Sequence, residues 1–388
     1  MPEREVHGAQ LADLERRSRS DDRCQLCENC LIIWRGSMTV PVSRRSLFER
    51  HPAATLVVAL LVAGIVLALC AEFGFRAARY LLRGGPAIER AENADDAQLG
   101  WVLNPARQRI VKRNACGEEV VREPPPDRLL AKLPAGATGI PVLFLGDSYT
   151  QGSEVSTSGM YYTVFEREAG GRYAVYAAGS GGYGTAQQYL LAHRLLPVVR
   201  PRVIFWQLSS NDVAENVFLG VDFSTVQKPR PYFELGSAAF VTRDPSLWLL
   251  RNSEFTRFML GEALKVDRRF DAGLGRLFAQ VAAPAADASN GRTGRRVLAT
   301  LVRKLHAEVD GAALVGFAVD EASPDRDYAR AFDLPGAHYL SGFAGRLRSS
   351  GQQIDCAPVD PHWNHAGNRV AGRLLLEEAR RLLPAGLK

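Results

Sequence analysis

No block of like charge runs through this sequence: 48 lysines and arginines stand against 42 aspartates and glutamates, a formal net charge of +6. Scattered arginine without a basic stripe reads as a solvated surface with some affinity for anions or membranes, and it argues against a nucleic-acid partner. No internal repeat is visible, which sets aside repeat arrays. Cysteine is scarce, with six in 388 residues. Charge is missing altogether from one stretch, "PAATLVVALLVAGIVLALCA" at 52–71. The remainder is ordinary for a globular protein, with 46% hydrophobic and 23% charged residues, and the length suits one large domain or two.

The uncharged run matches the roughly 20 residues that a helix needs to cross a bilayer. One transmembrane anchor over 52–72 is therefore expected. Arg44, Arg45 and Arg50 precede it, and Arg76, Arg79 and Arg83 follow it, so charge close to the membrane is nearly balanced. Farther out, Arg4, Arg16, Arg17, Arg19, Arg23 and Arg35 weight the N-terminal side. Positive-inside counting then makes 1–51 a cytoplasmic or disordered tail and exports the C-terminal bulk to a periplasmic or extracellular space. A cleaved signal peptide is the rival reading. It is disfavoured because the run exceeds a normal signal core and Leu69 before Cys70 is a poor cleavage site. A buried core helix is the bland alternative.

Cys24, Cys27 and Cys30 form C-x-x-C-x-x-C, a spacing that can supply three metal thiolates, but no fourth ligand lies nearby. Met38 sits just before "RRSLFER" and the apolar run, as a start codon would, so 1–37 reads either as a disordered tail or as a misplaced translation start. Cys70 lies inside the span. Cys116 and Cys356 fall in the exported part, where a disulfide can persist, and they are expected to pair.

Residues 73–139 read as a membrane-proximal helix followed by a linker rich in proline, glycine and charge. After Gly139 the pattern changes. Continuous apolar runs at 140–145, 172–177, 202–208 and 312–319, with a weaker one at 352–357, read as strands covered on both faces. Helix-like segments lie at about 157–169, 185–197, 294–308, 337–349 and 368–383. Alternation of this kind argues for an α/β domain over 140–388, an open parallel sheet with helices on both faces. Residues 213–293 break the rhythm. They read as an insertion that shapes a substrate groove, rests on the membrane surface, or merely elaborates the packing.

Open parallel sheets place their sites at the carboxyl ends of the strands. The first run ends in "GDSYTQG" with Ser148, the second in "GSGGYGT", the third in "SSND" with Asn211, and "VDPHWNHAG" with Asp360 and His362 precedes the last helix. A serine nucleophile, backbone amides, a side-chain amide, and an acid beside an imidazole suit acyl transfer. His362 can take the Ser148 proton, Asp360 can hold the imidazole tautomer, and glycine amides with Asn211 can face an oxyanion. Ser148 lacks the G-x-S-x-G of an α/β-hydrolase elbow.

In this order the four blocks resemble those of the SGNH (GDSL-type) hydrolase family, over about 140–212 and 352–383. The resemblance implies a flavodoxin-like three-layer α/β/α sandwich and esterase activity without cofactor or metal. It implies Ser148 as nucleophile, with His362 as base and Asp360 as its partner. It assigns the oxyanion hole to the Ser148 amide, the Gly182 amide and the Asn211 side chain. The family pattern has Asn where this chain has Ala177, Gly where it has Ser210, and D-x-x-H where it has Asp360-Pro361-His362. The shorter D-x-H-W-N form resembles membrane-tethered, exported members that handle acetyl groups on polysaccharides. The implied reaction is hydrolysis of O-acetyl esters in a small molecule or glycan.

Other readings stay open at this level. An O-acyltransferase uses the same acyl-enzyme with a sugar hydroxyl as acceptor, and a non-catalytic glycan-binding module keeps the fold alone. His365 can compete with His362 as base or make an H-x-x-H metal pair with it. Gly179, Gly181 and Gly184 spell the dinucleotide fingerprint G-x-G-x-x-G, but after a second strand, and Asn211 with Asp212 stands at the next strand end.

Overall fold

The computed structural model describes residues 51–83, 92–136, 138–218, 229–244, 253, 255, 256, 259, 288–309 and 311–384. Cys24, Cys27 and Cys30, the tail before the anchor and most of the helix-like part of 245–287 lie outside the described residues. The uncharged run lies within one helix, α1 (Pro52–Arg83). Its segment Pro52–Ala78 has a mean hydropathy of 2.8 and none of the tested window is buried, so it is long and apolar enough to cross a membrane. A core helix would instead be covered by the rest of the protein.

The membrane-proximal segment ahead of the expected linker is largely built into the folded domain. Two antiparallel hairpins form there: β1 (Asn93–Asp96) with β2 (Gly100–Leu103), and β3 (Ile110–Arg113) with β4 (Glu119–Arg122). Each strand has only four residues, too few to show an apolar period. Burial is continuous over Trp101, Val102 and Leu103 in β2 but alternates in β4, where Val120 and Arg122 are buried. Polar bonds do much of the docking. Asp96 meets Arg194 through two contacts of 2.9 and 3.0 Å and accepts the N–H groups of Gln98 and Leu99. Partial burial pushes the Asp96 carboxyl up, but Arg194 and the two amides outweigh it and hold it at about 2. Arg122 is buried and donates to the carbonyls of Gln151 and Val155, at 2.6 and 3.2 Å.

The centre is a five-stranded parallel sheet of β5 (Ile140–Gly146), β6 (Tyr173–Gly179), β7 (Val203–Leu208), β10 (Ala313–Ala318) and β11 (Ala337–Tyr339). A separate hairpin, β8 (Arg230–Glu234) with β9 (Ala239–Arg243), supplies the numbers between. Spatially the order is β6-β5-β7-β10-β11, the doubly wound 2-1-3-4-5 arrangement of flavodoxin-like sheets. Alternate residues serve opposite faces. Leu143, Leu145, Ile204 and Trp206 join one cluster, while Val142, Phe144, Val203 and Phe205 join the other. Phe144 stacks on Phe205 across the β5–β7 register, 5.1 Å between ring centres.

Helices cover both faces. Leu190, Leu191, Leu195, Leu298, Leu301 and Leu305 place α4 (Thr185–Val199) and α6 (Ala288–Glu308) in the first cluster, with Tyr328 and Ala331 of α7 (Asp325–Ala331). The second cluster takes in α3 (Tyr161–Glu168), α8 (Phe343–Arg348) and α9 (His365–Leu382) through Phe165, Phe343 and Leu375. Two four-residue helices, α2 (Ser148–Gln151) and α5 (Asp212–Glu215), follow β5 and β7 directly.

The fifth strand falls elsewhere than expected. It is β11, at the start of the segment read as a helix over 337–349, and α8 occupies only the later part. The run at 352–357 instead supplies β12 (Asp355–Cys356), which pairs antiparallel with β13 (Asp360–Trp363). A three-residue edge strand carries too little apolar pattern to be seen. The run at 352–357 lies off the sheet and carries the bond from Cys356 to Cys116.

That bond is the Cys116–Cys356 disulfide, which spans 240 residues. It staples the turn between β3 and β4 to the β12–β13 hairpin. Cross-links of this kind typically contribute about 2–4 kcal/mol. Non-reducing peptide mapping should recover the two cysteines joined. Cys116→Ser should lower the unfolding free energy by about 2–4 kcal/mol in denaturant titration; an unchanged midpoint would show that the staple does not stabilise the fold.

Candidate active site

Strand order reverses between β5 and its neighbours, and the crevice at that switch point faces the carboxyl ends of β5 and β7. Ser148 opens α2 immediately beyond β5. Asp147 caps that helix by accepting the Tyr149 N–H at 3.0 Å, and its carbonyl takes the Gln151 N–H at 2.9 Å. The tight turn holds Ser148 half-buried at the sheet edge.

His362 reaches Ser148 from β13. Its Nε2 lies 2.9 Å from Ser148 Oγ, and its Nδ1 lies 2.7 Å from Asp360 Oδ1. The same Asp360 oxygen accepts the His362 backbone N–H at 2.9 Å. This double acceptance shows how a carboxylate only two residues before a histidine can reach its ring. The turn that closes on the backbone N–H also delivers the carboxylate to the ring. With Nδ1–H donating to Asp360, the Nε2 lone pair is left for the serine hydroxyl. Tyr149 braces this loop. Its hydroxyl donates to the Pro361 carbonyl at 3.1 Å, and its ring centre lies 4.7 Å from that of His362. Trp363 anchors the next residue by donating Nε1–H to the Val319 carbonyl at 3.2 Å.

Beyond β6 the glycine stretch passes beside Ser148. A β-carbon on Gly181 would stand 3.9 Å from Ser148 Cβ. Gln151, on the nucleophile's own helix, accepts the Gly181 N–H. Gly182 has φ +78°, a left-handed conformation that favours glycine. Among the described residues, neither the Ser148 N–H nor the Gly182 N–H donates to a protein acceptor. Asn211 stands where β7 ends, as the cap of α5. Its Nδ2 donates to Glu215 at 2.6 Å and its Oδ1 accepts from Ser209 Oγ.

Sequence reasoning missed the polar cluster behind these groups. Ser209 Oγ lies 2.6 Å from Asp147 Oδ2 and 3.4 Å from Asp212 Oδ2, besides its contact with Asn211 Oδ1. One hydroxyl hydrogen cannot serve all three oxygens at once, so they crowd a single donor, and Asp212 Oδ2 is also met by the Ser209 N–H at 2.7 Å. Asp147 and Asp212 are 2% and 0% exposed. Burial raises both carboxyls above the usual range. Ser209 and the Tyr149 amide pull Asp147 back in part, whereas the nearby Asp147 charge pushes Asp212 higher still. Both shifts favour the protonated over the charged form at these two positions, next to Ser148. Only the acidic residue after Asn211 hinted at the cluster.

The competing readings meet specific obstacles. His365 is occupied elsewhere, with Nδ1 2.9 Å from Glu118 and Nε2 accepting the Ser156 N–H at 3.1 Å. It is neither beside Ser148 nor paired with His362. No group of three or more metal-ligating side chains occurs among the described residues. Asp212 is fully buried and closed off from any ribose hydroxyl. The glycine fingerprint also follows β6, an edge strand, rather than opening the sheet's first turn.

No family profile matches the chain, and no curated protein does. Solved structures superpose on it at low similarity. The crystal structure of TesA has 16% identity and a TM-score of 0.36, covering 62% of this chain and 99% of its own. The psychrotrophic esterase EstA from Pseudoalteromonas sp. has 11% identity and a TM-score of 0.35, covering 62% and 97%. A carbohydrate acetylesterase family member from Sinorhizobium meliloti has 14% identity and a TM-score of 0.34, covering 62% and 98%. Likeness at this level assigns neither reaction nor substrate to the present chain.

Two outcomes are expected from this geometry. His362→Ala should remove any serine-dependent activity, whereas His365→Ala should keep it within about tenfold of wild type; the reverse ranking in initial-rate assays would move the base to His365. The second concerns pH. Because the folded pKa values of Asp147 and Asp212 are raised, the native state binds a proton there more tightly than the unfolded chain does. The stability tied to that proton is complete below the usual carboxylate range and is lost as pH rises through the raised folded values. Between about pH 5 and pH 8, the melting temperature of Asp212→Asn should therefore fall less than that of wild type. Parallel curves would assign the pair no such role.

Proposed function

We propose that this chain is a membrane-anchored serine esterase of the SGNH (GDSL-type) family that hydrolyses O-acetyl esters of a small molecule or glycan outside the cytoplasm. The observation that carries the reading is the hydrogen-bonded series Asp360–His362–Ser148 at the switch point of a doubly wound sheet. Export is supported by the apolar helix α1 ahead of the domain and by the disulfide, which persists in oxidising compartments.

In the proposed reaction, Ser148 Oγ attacks the ester carbonyl carbon as its proton passes to His362 Nε2. Asp360 holds Nδ1–H and stabilises the imidazolium that forms. The carbonyl oxygen becomes an oxyanion facing the Ser148 and Gly182 N–H groups. The second hydrogen on Asn211 Nδ2, beyond the one given to Glu215, completes the hole. Each such donor is worth about 2.7–4 kcal/mol in the transition state. As the tetrahedral centre collapses, the imidazolium returns the proton to the departing alkoxide and an acetyl group stays on Ser148. Water then loses a proton to His362 and attacks that acetyl. His362 returns that proton to Oγ, and acetic acid leaves with the other hydrogen of the water. A small cavity of about 120 Å³ beside Ser148, Gly152 and His362 suits a short acyl group.

The His362 side chain is 35% exposed, so water can reach the base directly.

A serine-directed fluorophosphonate probe should label the wild type and spare Ser148→Ala, and the same substitution should abolish release from a chromogenic acetyl ester. Release should not depend on added sugar. Labelling that survives Ser148→Ala would sink the assignment, and release that requires a sugar acceptor would make the protein a transferase.

A further inference from the structure

The Gly182 amide is set by residues that belong to neither the sheet nor its covering helices. Its N–H shares a peptide plane with the Gly181 carbonyl, and that carbonyl accepts the Trp101 indole N–H at 3.1 Å. A trans peptide points its C=O and N–H in opposite directions. Fixing the Gly181 oxygen against Trp101 therefore turns the Gly182 N–H away from the Trp101 indole, in a loop whose Gly181 passes beside Ser148. The next plane is pinned as well. The Gly182 carbonyl accepts Arg230 Nη1 at 3.1 Å, and the Tyr183 N–H donates to the Ser180 carbonyl at 3.1 Å.

Both holders are themselves immobilised. Trp101 is 8% exposed; its ring centre lies 5.5 Å from that of Tyr183, whose hydroxyl donates back to the Trp101 carbonyl. Arg230, on β8, is 7% exposed, donates Nε–H to the Tyr232 hydroxyl at 3.0 Å, and stands 3.6 Å from Glu215. Glu215 is the acceptor of the Asn211 amide at 2.6 Å. The side-chain donor of the oxyanion hole is thus tied to the same arginine as its backbone donor. The two hairpins meet at Gly100, which has φ +82° and whose missing β-carbon leaves room for the Pro229 carbonyl and, at 3.4 Å, Arg230 Cα.

We infer that Trp101 and Arg230 are positioning residues for the oxyanion hole. They hold the Gly181–Gly182–Tyr183 backbone so that the Gly182 N–H meets the negative charge that builds on the ester oxygen. The inference rests on the esterase reading and gives that site a frame supplied by two accessory hairpins. Neither residue touches the reacting atoms. Their effect belongs to the transition state, where the oxyanion exists, and not to ground-state binding.

The test uses the detergent-solubilised full chain, a chromogenic acetyl ester, and an alkylboronic acid that forms a tetrahedral adduct on serine. Trp101→Phe keeps an aromatic ring, though a smaller one, and loses the N–H. It should lower kcat about tenfold or more while KM stays within about twofold, a fraction of the loss from deleting a donor outright. The boronate inhibition constant should rise by the same factor as kcat/KM falls. Arg230→Met should behave alike, and Arg230→Lys, which keeps a cationic donor, should recover part of the loss. Thermal unfolding of each variant separates this from collapse of the fold, and Arg230→Met decides the matter if Trp101→Phe does not fold. An active wild type beside variants of equal kcat overturns this inference alone. So does a loss confined to KM, or a fall in kcat with boronate affinity unchanged. A wild type that neither hydrolyses the ester nor takes the fluorophosphonate probe overturns the esterase reading and this inference with it.

Discussion

The 2.9 Å contact between Ser148 Oγ and His362 Nε2 joins positions 214 residues apart, and the rest of the domain serves to hold it. Neither residue has freedom to search. Ser148 is fixed by the end of a central strand and the Asp147 cap, and His362 by a short hairpin outside the sheet. A displacement of one ångström at either end would exceed hydrogen-bond range. Parallel strands with both faces covered supply rigidity on one side. The disulfide, the Tyr149 hydroxyl and the Trp363 indole supply it on the other.

What the sequence displayed and what it concealed divide along physical lines. Four of the five sheet strands are continuous apolar runs because both faces are buried, and a run of that kind shows in one dimension. The serine, asparagine and histidine blocks stand out because each sits where a run stops. The three-residue strand β11 and the four-residue strands of the accessory hairpins leave no period to detect. Trp101 and Arg230 belong to no motif, since their part depends on meeting a loop some 80 and 48 residues away. The Asp360–His362 spacing departs from the family pattern. It becomes intelligible only once Asp360 is seen to accept a backbone N–H and the ring N–H with one oxygen.

The buried carboxyls extend the same theme. Asp147 caps the nucleophile's helix and Asp212 accepts the Ser209 N–H at 2.7 Å, so both organise turns at strand ends. Placing two acids around one serine hydroxyl makes a compact, dry scaffold whose proton count matters as much as its shape. A charged pair there would add two unpaired anions next to a centre that must accept a third during the proposed reaction.

The distance along the chain between nucleophile and base also bears on the protein's synthesis. Ser148 leaves the ribosome long before His362 has been made, and at about 5–20 residues per second the interval is roughly 10–40 s. Throughout it the serine is an ordinary alcohol without a base. The half of the disulfide partner at Cys116 is likewise already present and unpaired. The Ser148–His362 contact and the Cys116–Cys356 bond therefore both wait until the β12–β13 hairpin has emerged.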